Sequence, residues 1–329
     1  MRSGMKTIVY VSPFVPQEWI AAHGFQPSRV LLEQTKRAVL AQPAAGVCPF
    51  ARAFIAFGLS LTDESAIVAT TECDQMRRAA ELLAGESSAP LFLLNVPTTW
   101  QTTTAHRLYI SELERLSAFM VRLGGKAPTK EELTDVMLRY DALRAEIRGA
   151  RGSLSGRAYS EAISRFHREG AADLSAARAA PLARGVPLAL LGGPLTGEHF
   201  RIFDLIEEAG GQVVLDGTET GERTLPRAFE RRRLHEDPFP ELADAYFGTI
   251  PDAFRRPNSQ LYHWLKGETA RRGIRGIILR RYLWCDTWHA EVQRMKEWSP
   301  APVLDLDAGD DDCKGRAASR IQSFVAMLK

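Results

Sequence analysis

The sequence predicts an α/β protein built from two doubly wound domains of the Rossmann or flavodoxin type. Short runs rich in Val, Ile and Leu recur along the chain, and longer helical patterns separate them. Continuous apolar strands that alternate with helices are typical of a parallel sheet covered on both faces. With 329 residues, the chain also exceeds the roughly 100–200 residues of one typical domain.

The apolar runs form two sets on either side of a mostly helical stretch. They lie at 7–13, 66–73 and 90–97 in the first set, and at 187–193, 212–217, 274–285 and 301–307 in the second. Apolar residues at helical spacing predict connecting helices at 110–123 and 129–148, and the second opens with a capping box, Thr129 and Glu132. We therefore expect an N-terminal α/β domain with a helical extension over 1–150, and a C-terminal α/β domain over 151–329.

Composition limits the kind of partner and the compartment. The 42 Lys and Arg residues nearly balance the 40 Asp and Glu residues, and no long run of one sign indicates nucleic-acid binding. No apolar run approaches the roughly 20 residues of a membrane span. The N-terminal apolar run is too short for a signal peptide, and the chain has only four cysteines. We expect a cytoplasmic protein with reduced thiols and no nucleic-acid or membrane partner.

Three of the four cysteines occupy positions typical of a site. Cys48 precedes Pro49, a residue that suits the first position of a helix. Cys73 and Cys285 each follow an apolar run and precede a helical pattern, at the carboxyl edge of a sheet where α/β proteins bind ligands. From position alone, Cys48 is a structural thiol, a nucleophile or a metal ligand. No pair has zinc-finger spacing, and three thiols from two domains would suit a cluster in the interdomain cleft.

Titratable residues near these thiols are candidates for catalysis. Glu72 and Asp74 flank Cys73, although Asp74 also suits the N-cap of the following helix. His289 lies one helical turn after Cys285. It is a catalytic candidate, the fourth ligand of a Cys₃His zinc site, or an ordinary surface histidine.

Four segments resemble subunits of the 2-hydroxyacyl-CoA dehydratase and benzoyl-CoA reductase family, of the D-component type. They are "GVCPFAR" (46–52), "ATTECDQMRRAAELL" (69–83), "PLFLLNVP" (90–97) and "RRYLWCDTWHAEVQRMK" (280–296), in the family's order. The resemblance implies that Cys48, Cys73 and Cys285 bind a [4Fe–4S] cluster with one open iron. Cys313, in the acidic loop 307–313, is not counted as a ligand, although as a fourth ligand it would close the cluster.

The resemblance also implies the reaction and the partners. One low-potential electron added to an acyl-CoA thioester drives dehydration of an (R)-2-hydroxyacyl-CoA, whereas the reductase branch delivers electrons into an aromatic ring. The electron comes from an ATP-hydrolysing iron–sulfur activator, and a homologous second subunit completes the enzyme. A separate ATP-hydrolysing partner agrees with the absence of a phosphate-binding loop from this sequence. The segment most similar to such a loop, residues 192–199, has Glu198 in place of the required lysine.

The resemblance suggests binding roles for three arginines beside the cysteines. Arg52, Arg77 and Arg78 are candidates to bind the CoA phosphates or to tune the cluster, with ordinary surface charge as the alternative. Two other functions stay open. One is a non-catalytic iron–sulfur relay or maturation protein on the same fold, and the other is an enzyme with a cysteine nucleophile, for which no Cys–His signature is present.

Overall fold

The computed structural model describes residues 6–33, 46–172, 174, 184–308 and 314–329, and confirms the predicted α/β class. All eight strands of the described chain are parallel and form two four-stranded sheets. The first sheet contains β1 (Thr7–Tyr10), β2 (Gln26–Arg29), β3 (Ser65–Thr70) and β4 (Leu91–Leu94) in the order β2-β1-β3-β4. The second contains β5 (Val186–Gly192), β6 (Gly211–Gly217), β7 (Gly276–Tyr282) and β8 (Val303–Ala308) in the order β6-β5-β7-β8.

Helices in the first half connect and cover the strands. They are α1 (Gln17–Ala22), α2 (Pro49–Leu59), α3 (Asp74–Glu86), α4 (Thr103–Arg122), α5 (Lys130–Gly149) and α6 (Gly156–Glu169). The predicted connecting helices correspond to α4 and α5. The capping box is present, since Thr129 Oγ1 accepts the Glu132 N–H and the Glu132 carboxylate accepts the Thr129 N–H.

Shorter helices fill the second half. They are α7 (Arg201–Glu208), α8 (Arg231–Glu236), α9 (Pro238–Ala243), α10 (Ser259–Arg272), α11 (Asp286–His289), α12 (Glu291–Trp298) and α13 (Lys314–Leu328). Single 3₁₀ turns lie at Arg151–Ser153, Gly197–Phe200 and Glu222–Thr224, and a π-helical turn lies at Asp244–Gly248. Within the described ranges, no helix combines the length and apolarity that crossing a membrane requires.

Strand β2 was not predicted from the sequence. Its four residues, Gln-Pro-Ser-Arg, form no apolar run, yet they pair in register with β1 at the edge of the first sheet. A proline is tolerated there because an edge strand needs hydrogen bonds on one side only. The buried Arg29 ends this strand, so the error concealed a charged residue at the carboxyl edge of the sheet.

The two halves of the chain share their packing. Residues 229–254 contribute Phe229, Tyr246, Phe247 and Phe254 to the same buried core as Ile8 of β1. Helix α6 packs against both β2 and β6, one strand from each sheet. The division at residue 150 stays a prediction, but the first sheet buries its apolar face partly against residues from beyond that point.

Candidate functional site

Cys48 lies at the N-cap of α2, as the Cys-Pro pair predicts. Its Sγ accepts the N–H of Ala51 at 3.4 Å, and Pro49 occupies the first helical position. Its own N–H donates to Gln75 Oε1 of α3 at 2.8 Å, which joins the starts of two helices. With 8% of its surface exposed, Cys48 is effectively buried.

Cys73 and Cys285 occupy equivalent positions elsewhere in the fold. Cys73 is the N-cap of α3 just beyond β3, and Cys285 is the N-cap of α11 just beyond β7. Both are partly buried. Because free N–H groups and the positive end of the helix dipole lie at a helix N-terminus, all three positions favour negative charge.

The structure brings the three thiols into one region. Cys73 and Cys285 pack against the buried cluster that contains Cys48, Phe50 and Tyr282. Burial raises the pKa of Cys73 to about 12, and negative charge on Cys48 and Cys285 adds to that rise. Burial likewise raises the pKa of Cys285 to about 12, with a contribution from Cys48. Cys313 lies outside the described residues.

The spacing of the thiols is not that of ligands around a single ion. In the part of the chain that the structure describes, no three His, Cys, Asp or Glu side chains are grouped tightly enough to hold one metal ion. The Cys₃His zinc arrangement is therefore not found there, and His289 is exposed. Ligands of a cubane bind different irons, so a cluster calls for more widely spaced thiols than one ion does.

Glu72 and Asp74, on either side of Cys73, lie in contrasting environments. Glu72 is half-buried, and its Oε2 accepts the Thr70 hydroxyl at 2.5 Å. Burial raises the pKa of Glu72 to about 6, and the charge of Asp252 contributes. Asp74 is 98% exposed beside Arg77. The N-cap interpretation of Asp74 was wrong by one residue, because Cys73 holds the extended N-cap backbone.

Of the three candidate arginines, only Arg52 is buried. It donates to the carbonyl of Val47 at 2.6 Å, and its charge opposes the rise that burial causes in the pKa of Cys48. Arg77 and Arg78 lie exposed on the first turns of α3, and Arg78 pairs with Glu81 at 2.6 Å. Arg77 and Arg78 are thus accessible to a ligand, whereas the charge of the buried Arg52 affects the pKa of Cys48.

Sequence reasoning missed a buried group of charged residues between the sheets. Arg29 donates to the carbonyl of Val11 at 2.7 Å and to Thr224 Oγ1 at 3.0 Å, and it lies 4.0 Å from the carboxylate of Glu219. Arg223 pairs with Asp252 while its Nε donates to the carbonyl of Gly217 at 2.8 Å.

The carboxylates of this group act on one another across the two halves. Burial raises the pKa of Glu219 to about 8, and the charges of Glu72 and Asp252 contribute to the rise. The only sequence signal for Glu219 was its position just after a predicted strand, at the carboxyl edge of the second sheet.

A small pocket, partly open to solvent, adjoins this region. Apolar walls come from both halves of the chain: Val11, Val30, Leu31, Phe50, Pro194 and Leu195. Polar groups come from Arg29, Ser164, His167 and Thr220. The buried His167 Nε2 has no hydrogen-bond partner in the described chain. Burial and the charge of Arg29 lower the pKa of His167 well below its usual value, so this imidazole is neutral.

Comparison with known proteins decides the family. The family model for the 2-hydroxyglutaryl-CoA dehydratase D-component matches residues 13–328, nearly the whole chain. The chain belongs to this family. Membership confirms the resemblance and implies a subunit of a 2-hydroxyacyl-CoA dehydratase that works with a partner subunit on an acyl-CoA. A search of curated proteins finds no significant match to the chain.

The matched range includes every candidate site residue. In this member of the dehydratase family three cysteines converge, and Glu72 beside Cys73 is half-buried. A mainly apolar pocket has Phe50, two residues after Cys48, in its wall. It leaves Asp74 and His289 on the surface. Their roles, and those of Glu72 and the three arginines, stay predictions.

Proposed function

We propose that the chain is the iron–sulfur subunit of an ATP-activated radical (R)-2-hydroxyacyl-CoA dehydratase. Cys48, Cys73 and Cys285 would hold a [4Fe–4S] cluster, which supplies a low-potential electron to the acyl-CoA thioester. The observation that carries this proposal is the convergence of one buried and two partly buried thiols at three helix N-termini in a chain of this family.

The thiols suit cluster ligands better than a nucleophile. A nucleophilic cysteine needs a lowered pKa, usually with a histidine in hydrogen-bond reach. Burial instead raises the pKa of all three thiols. Thiols that stay protonated at neutral pH become thiolates when a metal binds, so cluster assembly releases protons here.

Glu72 is the proposed proton-handling group of the site. Its pKa of about 6 lets the carboxyl group hold or release a proton near neutral pH, as a general acid or base requires. It precedes Cys73 directly, and its Oε2 accepts the hydroxyl proton of Thr70. Asp74 and His289 remain secondary candidates because both are exposed to solvent.

The acyl group is proposed to enter the pocket beside the cysteines. The pocket is small and partly open to solvent, so the whole of coenzyme A does not fit inside it. Phe50, two residues after Cys48, forms part of its wall. The CoA phosphates would remain at the surface, where Arg77 and Arg78 are available. Arg52 is buried near Cys48 and tunes the site instead.

The chain needs partners to turn over. Its sequence holds no phosphate-binding loop, so the ATP-driven electron comes from a separate iron–sulfur activator protein. The family's partner subunit completes the dehydratase.

The test is whether an acyl-CoA perturbs the cluster. The chain is purified without oxygen, its cluster is reduced, and EPR spectra are recorded with and without a 2-hydroxyacyl-CoA. A changed spectrum on addition of the thioester, absent with free CoA, is the expected result. If the thioester leaves the cluster spectrum unchanged in the complete complex, the result favours the electron-relay function. Turnover of acyl-CoA by the isolated chain in air would exclude the radical mechanism.

A further inference from the structure

Arg280 of β7 is a buried cation, and among the residues that the structure describes no ion pair to it is found. Only 4% of its surface is exposed, and neither of its terminal nitrogens has a hydrogen-bond partner in the part of the chain that the structure describes. Its neighbour Arg281 forms two hydrogen bonds to Asp305, both at 2.9 Å. A guanidinium stays protonated in proteins, so the charge of Arg280 is permanent.

Tyr282 contacts this cation and also belongs to the buried cluster that contains the first of the three thiols. The Arg280 guanidinium lies over the Tyr282 ring, 4.6 Å from its centroid. Tyr282 packs in the same buried cluster as Cys48. Burial raises the pKa of Tyr282 to about 12; the charge of Arg280 opposes that rise and negative charge on Cys48 adds to it.

The described neighbours of Arg280 do not neutralise its charge. His199 Nδ1 lies 3.1 Å from the Tyr282 hydroxyl. Burial and the charge of Arg280 lower the pKa of His199 to about 2, so the imidazole is neutral and does not offset the charge of Arg280. The interaction with the aromatic ring offsets only part of the hydration free energy that a cation loses on burial. A nearby anion would stabilise this cation, and Tyr282 connects it to the cluster that contains Cys48.

The backbone holds Arg280 in place. Gly192 of β5 pairs with Arg280 across the second sheet. A Cβ on Gly192 would lie 1.8 Å from the Arg280 carbonyl oxygen, so only glycine permits this approach. The close pairing fixes the direction in which the Arg280 side chain leaves the strand.

We propose that Arg280 is a second counter-charge, besides Arg52, of the thiolate-bound cluster and raises its reduction potential. The proposal rests on the proposed function, since it requires the cluster at Cys48, Cys73 and Cys285. Net charge nearby is one of the main determinants of the potential of an iron–sulfur cluster. A fixed positive charge favours the reduced, more negative form, so Arg280 makes the cluster easier to reduce.

The first test compares reduction potentials by EPR-monitored titration of the loaded protein. Arg280→Gln should bind the same amount of iron and shift the potential to a more negative value. Arg280→Lys keeps the charge and should stay close to the wild type, as should the matched control Arg281→Gln. An unchanged potential in R280Q, or an equal shift in R280K, overturns the proposal.

The second test uses the metal-free protein and does not depend on cluster chemistry. Arg280→Met replaces a buried cation, for which the described residues supply no anion, by an apolar chain of similar length, so the thermal midpoint without a cluster should rise. The gain should be smaller or reversed in the loaded protein. A fall in the metal-free midpoint, or failure of both R280M and R280Q to fold, would show that the cation has a structural partner and overturn the proposal.

The two tests separate this inference from the proposed function. If the wild type takes up no iron, the proposed function fails before any potential is measured. If iron binds and the potential does not depend on residue 280, the cluster assignment stands and only the role of Arg280 is lost.

Discussion

At the scale of single residues, position at a helix N-terminus unites the three cysteines. Each thiol lies where backbone N–H groups lack helical partners, which favours thiolate once a metal displaces the proton. Burial acts in the opposite direction and keeps the metal-free thiols protonated. These opposed effects make the three thiols neutral when no metal is bound and negatively charged when they hold one.

Glu219 is expected to make the metal-free protein less stable as pH rises. Its pKa rises from 4.5 to about 8 on folding, chiefly because of burial. Between these values the folded state binds a proton that the unfolded state does not, so its stabilising contribution is complete below about pH 4.5 and is lost as pH rises to about 8. Glu219→Gln, which stays neutral, should gain thermal stability relative to wild type between pH 5 and pH 8.5.

The charged surroundings of Glu219 define the control for this experiment. Glu72 and Asp252 raise the pKa of Glu219, whereas Arg29 and Arg223 lower it. The exposed Glu208 provides the comparison, and Glu208→Gln should follow the wild-type profile across the same pH range. Parallel profiles for E219Q and the wild type would contradict the ionisation assigned to Glu219.

At the scale of elements, the sequence predicted what local pattern determines. Pro49 after Cys48, and Thr129 with Glu132, marked helix starts that the structure confirms. Strand β2 was missed because its existence depends on pairing with β1 and not on an apolar run. The N-cap of α3 was misplaced by one residue because an aspartate is the more usual cap than a cysteine.

The end of β5 is expected to be intolerant of any side chain at position 192. Gly192→Ala places a methyl group against the Arg280 carbonyl, at a φ of 141° that L residues rarely adopt. We expect a loss of about 3 kcal/mol in unfolding free energy, measured by urea denaturation.

Gly85 provides the matched control for this substitution. It is exposed near the end of α3, and the space that an added methyl group would occupy is open, so Gly85→Ala should gain roughly 0.5–1 kcal/mol. Equal effects of the two substitutions would show that the β5–β7 approach is looser than described.

At the scale of the whole molecule, two parallel sheets are joined through shared packing and buried charge. Arg29 of the first sheet donates to Thr224 of the second half, 195 residues away in sequence. Residues 229–254 complete the core around β1. Such long-range contacts leave no local pattern, so the sequence predicted the cysteines of the site but not the charged group or the pocket beside them.

Shared packing predicts that the first half of the chain does not fold alone. A fragment of residues 1–150 would lack the aromatic side chains of Phe229, Tyr246, Phe247 and Phe254 that bury its apolar face. We expect it to be insoluble or to lack a cooperative thermal transition by circular dichroism. Co-expression with residues 151–329 should restore a soluble complex. A cooperative transition in the isolated fragment would show that its core is self-sufficient.

Iron and sulfide content measures the central claim most directly. After anaerobic reconstitution, the wild-type chain should hold about four irons and four sulfides, as one [4Fe–4S] cluster requires. Serine at position 48, 73 or 285 should lower both contents, whereas Cys313→Ser should leave them unchanged. Absence of bound iron in the wild type, or full iron content in any of the first three variants, would contradict the assignment. Equal loss in C313S would show a cluster held by four cysteines.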